Sequence, residues 1–134
     1  AKILMQQLWS LGLDWDTPLS PELCQVWNEY ATDLVKLNTL RIPRWTGMLP
    51  SSSIQFHGFC DASQRAYAAT VYVRVVTVSK VFVSLLTSKT RVAPKKYISI
   101  PRLELCAAEL LTRLLKWTIS SFDVSDSAVF AWSD

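Results

Sequence analysis

No apolar run in this sequence approaches the roughly 20 residues that a membrane-spanning helix requires, which excludes a helical span. The first residues, Ala1-Lys2-Ile3-Leu4-Met5-Gln6-Gln7, have neither a long apolar core nor a small-residue cleavage site, so they are not expected to be a signal peptide. An initiating methionine is also missing, and the chain is expected to be a piece of something longer. Cysteine is scarce and unpatterned: Cys24, Cys60 and Cys106 form no Cys-x-x-Cys pair, which argues against a zinc site. Each lies in an apolar pattern, so buried thiols in a reducing compartment are expected. Repeats and low-complexity segments are absent.

What is present is an ordinary globular composition. Of 134 residues, 50% are hydrophobic and 19% charged, enough for one domain and part of another. The net charge of +3 is unevenly spread. Residues 1 to 53 hold Lys2, Lys36, Arg41 and Arg44 against five acids, whereas the remainder holds ten basic residues against six acidic. The densest basic run is Lys89, Arg91, Lys95, Lys96 and Arg102, with no carboxylate among them. Such a run suits a polyanion such as nucleic acid, and it equally suits a solvated loop.

The periodicity divides the chain near residue 50. In the first part, Ile3, Leu4, Leu8 and Leu11 are helically spaced and Gly12 follows as a helix terminator. Ser20-Pro21-Glu22 supplies an N-cap, a first-turn proline and an acid facing the positive end of a second helix. Its stripe of Leu23, Val26, Trp27, Tyr30, Leu34 and Leu37 is expected to be core. Residues 46 to 53, with Gly47, Pro50 and three serines, read as a boundary loop.

In the second part three strands are expected, at Ile54 to Ser63, Ala66 to Val76 and Lys80 to Ser88, joined by short turns into an antiparallel meander. In the first of them Ile54, Phe56, Gly58 and Cys60 share one face. Arg91 to Ser99 reads as a basic loop. Ser99 then caps a helix whose apolar face of Leu103, Cys106, Ala107, Leu110, Leu114 and Trp117 runs to about Ile119. Ala128 to Trp132 is a fourth strand.

Three carboxylates stand out by position: Asp61 at the end of the first strand, Glu104 in the first turns of the helix, and Asp134 after the fourth strand. A right-handed crossover makes the fourth strand parallel to the first, so two strand-end carboxylates converge and the helix can direct a third at them. Such a cluster repels itself unless cations bind. Its hard oxygens suit Mg²⁺ or Mn²⁺, and two ions about 3.5 to 4 Å apart activate water and stabilise the leaving oxygen of a phosphodiester. Asp61 followed by Ala62-Ser63 serves equally as a turn residue that accepts from nearby amides, so both roles stand. His57 shows no partner and reads as structural, Ser63 as a turn cap, and Glu109 as a solvent-facing or ion-paired residue on another helix face.

At these residues a family resemblance becomes specific. Phe59-Cys60-Asp61-Ala62-Ser63, the strand Ala66 to Arg74, Lys89 to Pro94, Ile100-Pro101-Arg102-Leu103-Glu104-Leu105-Cys106-Ala107-Ala108 and Trp132-Ser133-Asp134 occur in one order. Together they resemble the ribonuclease H domain of BEL/Pao-type retrotransposon polyproteins. Trp15-Asp16, Leu19 to Leu37 and Ile42-Pro43-Arg44 resemble the segment joining polymerase to nuclease in those polyproteins. The likeness therefore covers nearly the whole chain.

The resemblance implies an α/β ribonuclease H-like mixed sheet over residues 51 to 134, truncated at its C-terminal side, preceded by a helical connection segment over residues 1 to 50. It implies that Asp61, Glu104 and Asp134 are catalytic and hold Mg²⁺ or Mn²⁺, two ions in the complete domain. A fourth carboxylate would lie on a later helix, so the fragment is expected to be inactive alone. Lys89, Arg91, Lys95, Lys96 and Arg102 would bind an RNA/DNA hybrid, cut in its RNA strand during reverse transcription. The other implied partners are the remaining parts of the polyprotein, with polymerase N-terminal, and no membrane. The implied location is intracellular: the cytoplasm, in a virus-like particle, with a nuclear stage allowed.

Where related domains carry glycine in the second strand this chain has Ala66, Ala68 and Ala69. Two other readings compete. BEL/Pao sequences also carry an aspartic peptidase label, yet Ala62-Ser63 lacks the glycine that follows such an active turn and no second copy exists. A non-catalytic connecting or hybrid-binding module is the third.

Overall fold

Alternation along the strands gives two sheet faces of different chemistry, and one of them selects a helix to cover it. The computed structural model describes residues 1–122, 124 and 127–133. The chain divides into two compact units, Ala1–Arg41 and Ile42–Asp134.

In the first unit, helix α1 (Lys2–Leu11) stops at Gly12, whose φ of 63° is the left-handed conformation that glycine adopts without Cβ strain. Helix α2 (Pro21–Lys36) starts as its sequence dictates: Ser20 is the N-cap, its hydroxyl accepts from the Leu23 amide, and Pro21 occupies the first turn. The Glu22 carboxyl is held below its ordinary value, first by a hydrogen bond with the Ser20 side chain and then by its own amide. A 3-10 turn, Leu37–Thr39, ends the helix. The expected core stripe is instead a surface. No residue of α2 is buried, and Val26, Trp27 and Leu34 are exposed. Cys24 is likewise exposed, contrary to the buried thiol expected of it.

In the second unit, strands β1 (Ser53–Ala62), β2 (Ala66–Val76), β3 (Val81–Val92) and β4 (Ala128–Ser133) form one sheet in the order β3-β2-β1-β4. The pairs β1–β2 and β2–β3 are antiparallel and β1–β4 is parallel. This is the expected mixed sheet: a meander, a crossover helix and a parallel fourth strand. Helix α3 (Ile100–Ser120) makes the crossover. Its buried Ala107, Leu110, Leu111, Leu114 and Leu115 lie on Phe56 and Cys60 of β1 and Ala69, Val71, Val73 and Val75 of β2. Gly58 is what lets the helix come down. A Cβ at that position would lie 2.6 Å from Leu111 Cδ1 and 3.0 Å from Leu115 Cδ1. Residues before β1 belong to this unit as well: the Trp45 ring meets Phe82 edge-on and Met48 packs on the core.

One local detail explains a short turn and two differ from expectation. The β2–β3 turn manages without glycine because the Thr77 amide donates to the Lys80 carbonyl while the Thr77 hydroxyl accepts from the Lys80 amide. Ser99 stands at the N-cap of α3 but its side chain makes no capping bond; its carbonyl accepts from the Arg102 and Leu103 amides. Strand β3 runs past Ser88 to Val92, so Lys89 and Arg91 are strand residues rather than loop residues. A bulge explains their aim. Val71 pairs with Thr87 but Tyr72 with Leu85, leaving Leu86 as the extra residue. Before it Phe82 and Ser84 lie opposite the helix-facing Val75 and Val73; after it Thr87, Lys89 and Arg91 lie opposite Val71, Ala69 and Tyr67. The inserted residue changes the phase by one and turns Lys89 and Arg91 toward the α3 side.

On the opposite face aromatic side chains gather. The His57 ring stacks on Phe130 at 4.9 Å, Phe59 stacks on Trp132 at 6.4 Å, and Arg74 donates to Gln55 Oε1 at 3.0 Å. His57 Nε2 is 3.3 Å from Gln55 Oε1, which gives the ring a structural place.

Candidate active site

Asp61 is the penultimate residue of β1, exposed at the strand end and paired with Ala68 of β2. Its Oδ1 accepts from the Ala62 amide at 2.7 Å. This is the local bonding expected of a turn aspartate, and it does not consume the group: one oxygen fixes the rotation of the carboxylate while the other remains a hard donor. Ser63 performs the turn chemistry. Its hydroxyl accepts from the Arg65 and Ala66 amides at 3.3 and 3.2 Å.

Glu104 is half-buried on the flank of α3, between buried Leu103 and exposed Leu105. Its level along β1 follows from the packing. Leu111 and Leu115 lie over Gly58, and the ring of Phe122, past the C-terminus of α3, packs tilted against Phe56 with centroids 5.7 Å apart, so helix and strand run in opposite directions. Seven residues from Leu111 back to Glu104 span about 10 Å of helix. Three residues from Gly58 on to Asp61 span about 10 Å of strand. The two carboxylates therefore lie at the same edge of the sheet.

The third expected ligand, Asp134, lies outside the described residues. The strand that leads to it does not: β4 is parallel to β1, and its last described pair is Ser133 with Cys60. The Cys60 thiol also lies 3.6 Å from the Trp132 carbonyl, which ties the two strand ends together. Among the described residues no group of three acids, histidines or cysteines could hold a metal ion, and only Asp61 and Glu104 of the expected trio are described. Glu109 takes no part, because it forms an ion pair with Arg113 one turn along the helix.

The expected basic residues fall into two places. Lys95, Lys96 and Arg102 are exposed in the β3–α3 connection and the first turn of α3, at the edge that carries Asp61 and Glu104. This connection is anchored there by the Ala93 amide, which donates to the Arg65 carbonyl at 3.0 Å. Lys89 and Arg91 instead line a cleft of about 460 Å³ between β3 and α3, together with Arg113 and Trp117. Sequence reading missed Arg113 and placed Trp117 in the core, where the helix leaves it 63% exposed. The available signal was their four-residue spacing on one helix face.

Among the described residues no helix is long and apolar enough to cross a membrane. A family model described as the Pao retrotransposon-like RNaseH-like domain matches residues 1–134. Among curated proteins the comparison found no match.

Proposed function

The chain belongs to the family of Pao retrotransposon-like RNaseH-like domains, and on that premise we propose that it supplies the catalytic edge of a nuclease that hydrolyses the RNA strand of RNA/DNA hybrids. The observation that carries this reading is the pairing of Cys60 with Ser133, each followed in the sequence by an aspartate, with Glu104 level with Asp61 on the covering helix. Hard carboxylate oxygens on rigid elements at one edge fit a divalent ion. Asp61, Glu104 and Asp134 would hold Mg²⁺ or Mn²⁺, and bound ions would supply a nucleophilic water and charge stabilisation at the scissile phosphate.

The chain's own groups prepare that chemistry. The Ala62 amide orients the Asp61 carboxylate. Lys95, Lys96 and Arg102, exposed at the same edge, bind backbone phosphates and hold the hybrid in place without reading its sequence. The domain acts as part of a retrotransposon polyprotein during reverse transcription inside the cell. Its test is a polypeptide that continues past residue 134 through the fourth carboxylate implied by the family likeness, incubated with hybrid and Mg²⁺. RNA-strand cleavage that depends on the metal and spares single-stranded RNA is the expected result. Hybrid binding without cleavage would replace the nuclease with a binding module.

A further inference from the structure

We infer that the cleft between β3 and α3 is a second nucleic-acid site, one that takes a single strand by its phosphates and one of its bases. The inference rests on the reading of this chain as a nucleic-acid enzyme and goes beyond it, because the cleft is separate from the carboxylates. The charged residues that line it are Lys89, Arg91 and Arg113, all basic, and Trp117 stands at its side with most of its indole exposed. Leu110 and Leu114 floor it.

Two features mark the cleft as more than a solvated edge. The first is the bulge at Leu86, without which the strand alternation would send Lys89 and Arg91 to the other face. A bulge and inward-turned charges also protect an edge strand such as β3 from pairing, so the re-aiming matters here through the residues it brings together. The second is the combination of chemistry. Lys89 and Arg91, two residues apart on a strand, stand about 6.7 Å from each other, a spacing that suits successive phosphates of an extended strand. An exposed indole beside them offers a face to any base, the arrangement by which single strands are bound without sequence preference.

The cleft also leads to the catalytic edge. Arg91 lies opposite Tyr67, and the next residue of β2, Ala68, lies opposite Asp61. The cleft thus begins one strand position from Asp61, on the α3 side of the sheet, whereas Asp61 itself alternates to the other side at the strand end.

The test is binding of a labelled oligothymidylate to the 134-residue chain by fluorescence anisotropy, without Mg²⁺, across a range of salt. Binding should weaken with salt, and the slope should fall by about 1.4 when Lys89 and Arg91 are both replaced by Gln, at ~0.7 per phosphate contact. Trp117→Ala should weaken binding by about tenfold or more. Trp15→Ala, an exposed tryptophan of the first unit, should change nothing. No binding of the oligonucleotide would overturn the inference. So would a loss in the Lys89/Arg91 variant with none in Trp117→Ala, since the cleft would then be a general polyanion surface. Circular dichroism on each variant separates loss of binding from loss of fold. Hybrid cleavage reports on the carboxylate edge and metal-free oligothymidylate binding on the cleft, so the two readings fail in different assays.

Discussion

Replacing Asp61 by Asn should lower Mg²⁺-dependent cleavage of the hybrid by about a thousandfold, the rate equivalent of ~4 kcal/mol of transition-state stabilisation. The substitution is nearly silent for the fold. Asn keeps the oxygen that accepts from the Ala62 amide, and the residue is exposed at the end of β1. Exposed changes away from special backbone features alter stability by only about 0.5 kcal/mol. What it removes is the negative charge and one hard donor, which a divalent ion needs and a turn does not. If Asp61 were only a turn residue, Asn would serve as well and the rate would stay where it was. Single-turnover cleavage at saturating Mg²⁺ measures the difference, and an unchanged rate in D61N would remove Asp61 from the site.

The largest loss of stability is expected from Gly58→Val. Leu111 and Leu115 occupy the space that any Cβ would enter, and the γ-methyls of valine would reach further into the same leucines. Relief requires both leucines to leave their packed rotamers or α3 to lift from β1, and either loosens the packing on Phe56, Cys60 and the valines of β2. Overpacking of this kind costs about 3 kcal/mol. For the second unit that is a fall in Tm of roughly 10 to 20 °C, read by circular dichroism. Leu111→Ala in the same molecule should return part of it, because the closest clash is with Leu111 Cδ1. A valine tolerated without loss would mean that the helix does not lie where the two carboxylates need it.

Much of this was legible in the residues themselves. The strand Ala66–Val76 alternates so regularly that its ends could be read directly, and Gly12, Ser20 and Pro21 mark helix ends through local backbone chemistry that needs no tertiary context. The positions of Asp61 and Glu104 were readable because a strand end and the start of a helix are both punctuated by their neighbours. The aim of Lys89 and Arg91 was not. A bulge is a property of two strands in register, and nothing in Leu85-Leu86-Thr87 alone announces it. Trp117 was misplaced for a related reason. It fits the apolar period of α3, but the side chain lies at the cleft beside β3 and stays exposed. The α2 stripe shows the same limit, since amphipathic spacing states that a face wants cover and not that cover is present.

The measurement closest to the central claim is paramagnetic broadening by Mn²⁺ of the amide resonances of the 134-residue chain. A carboxylate site at this edge predicts selective loss of signals around residues 60–62, 103–105 and 133 at low Mn²⁺, abolished in Asp61→Asn and weakened in Glu104→Gln. Broadening centred elsewhere, or unchanged by Asp61→Asn, would contradict it.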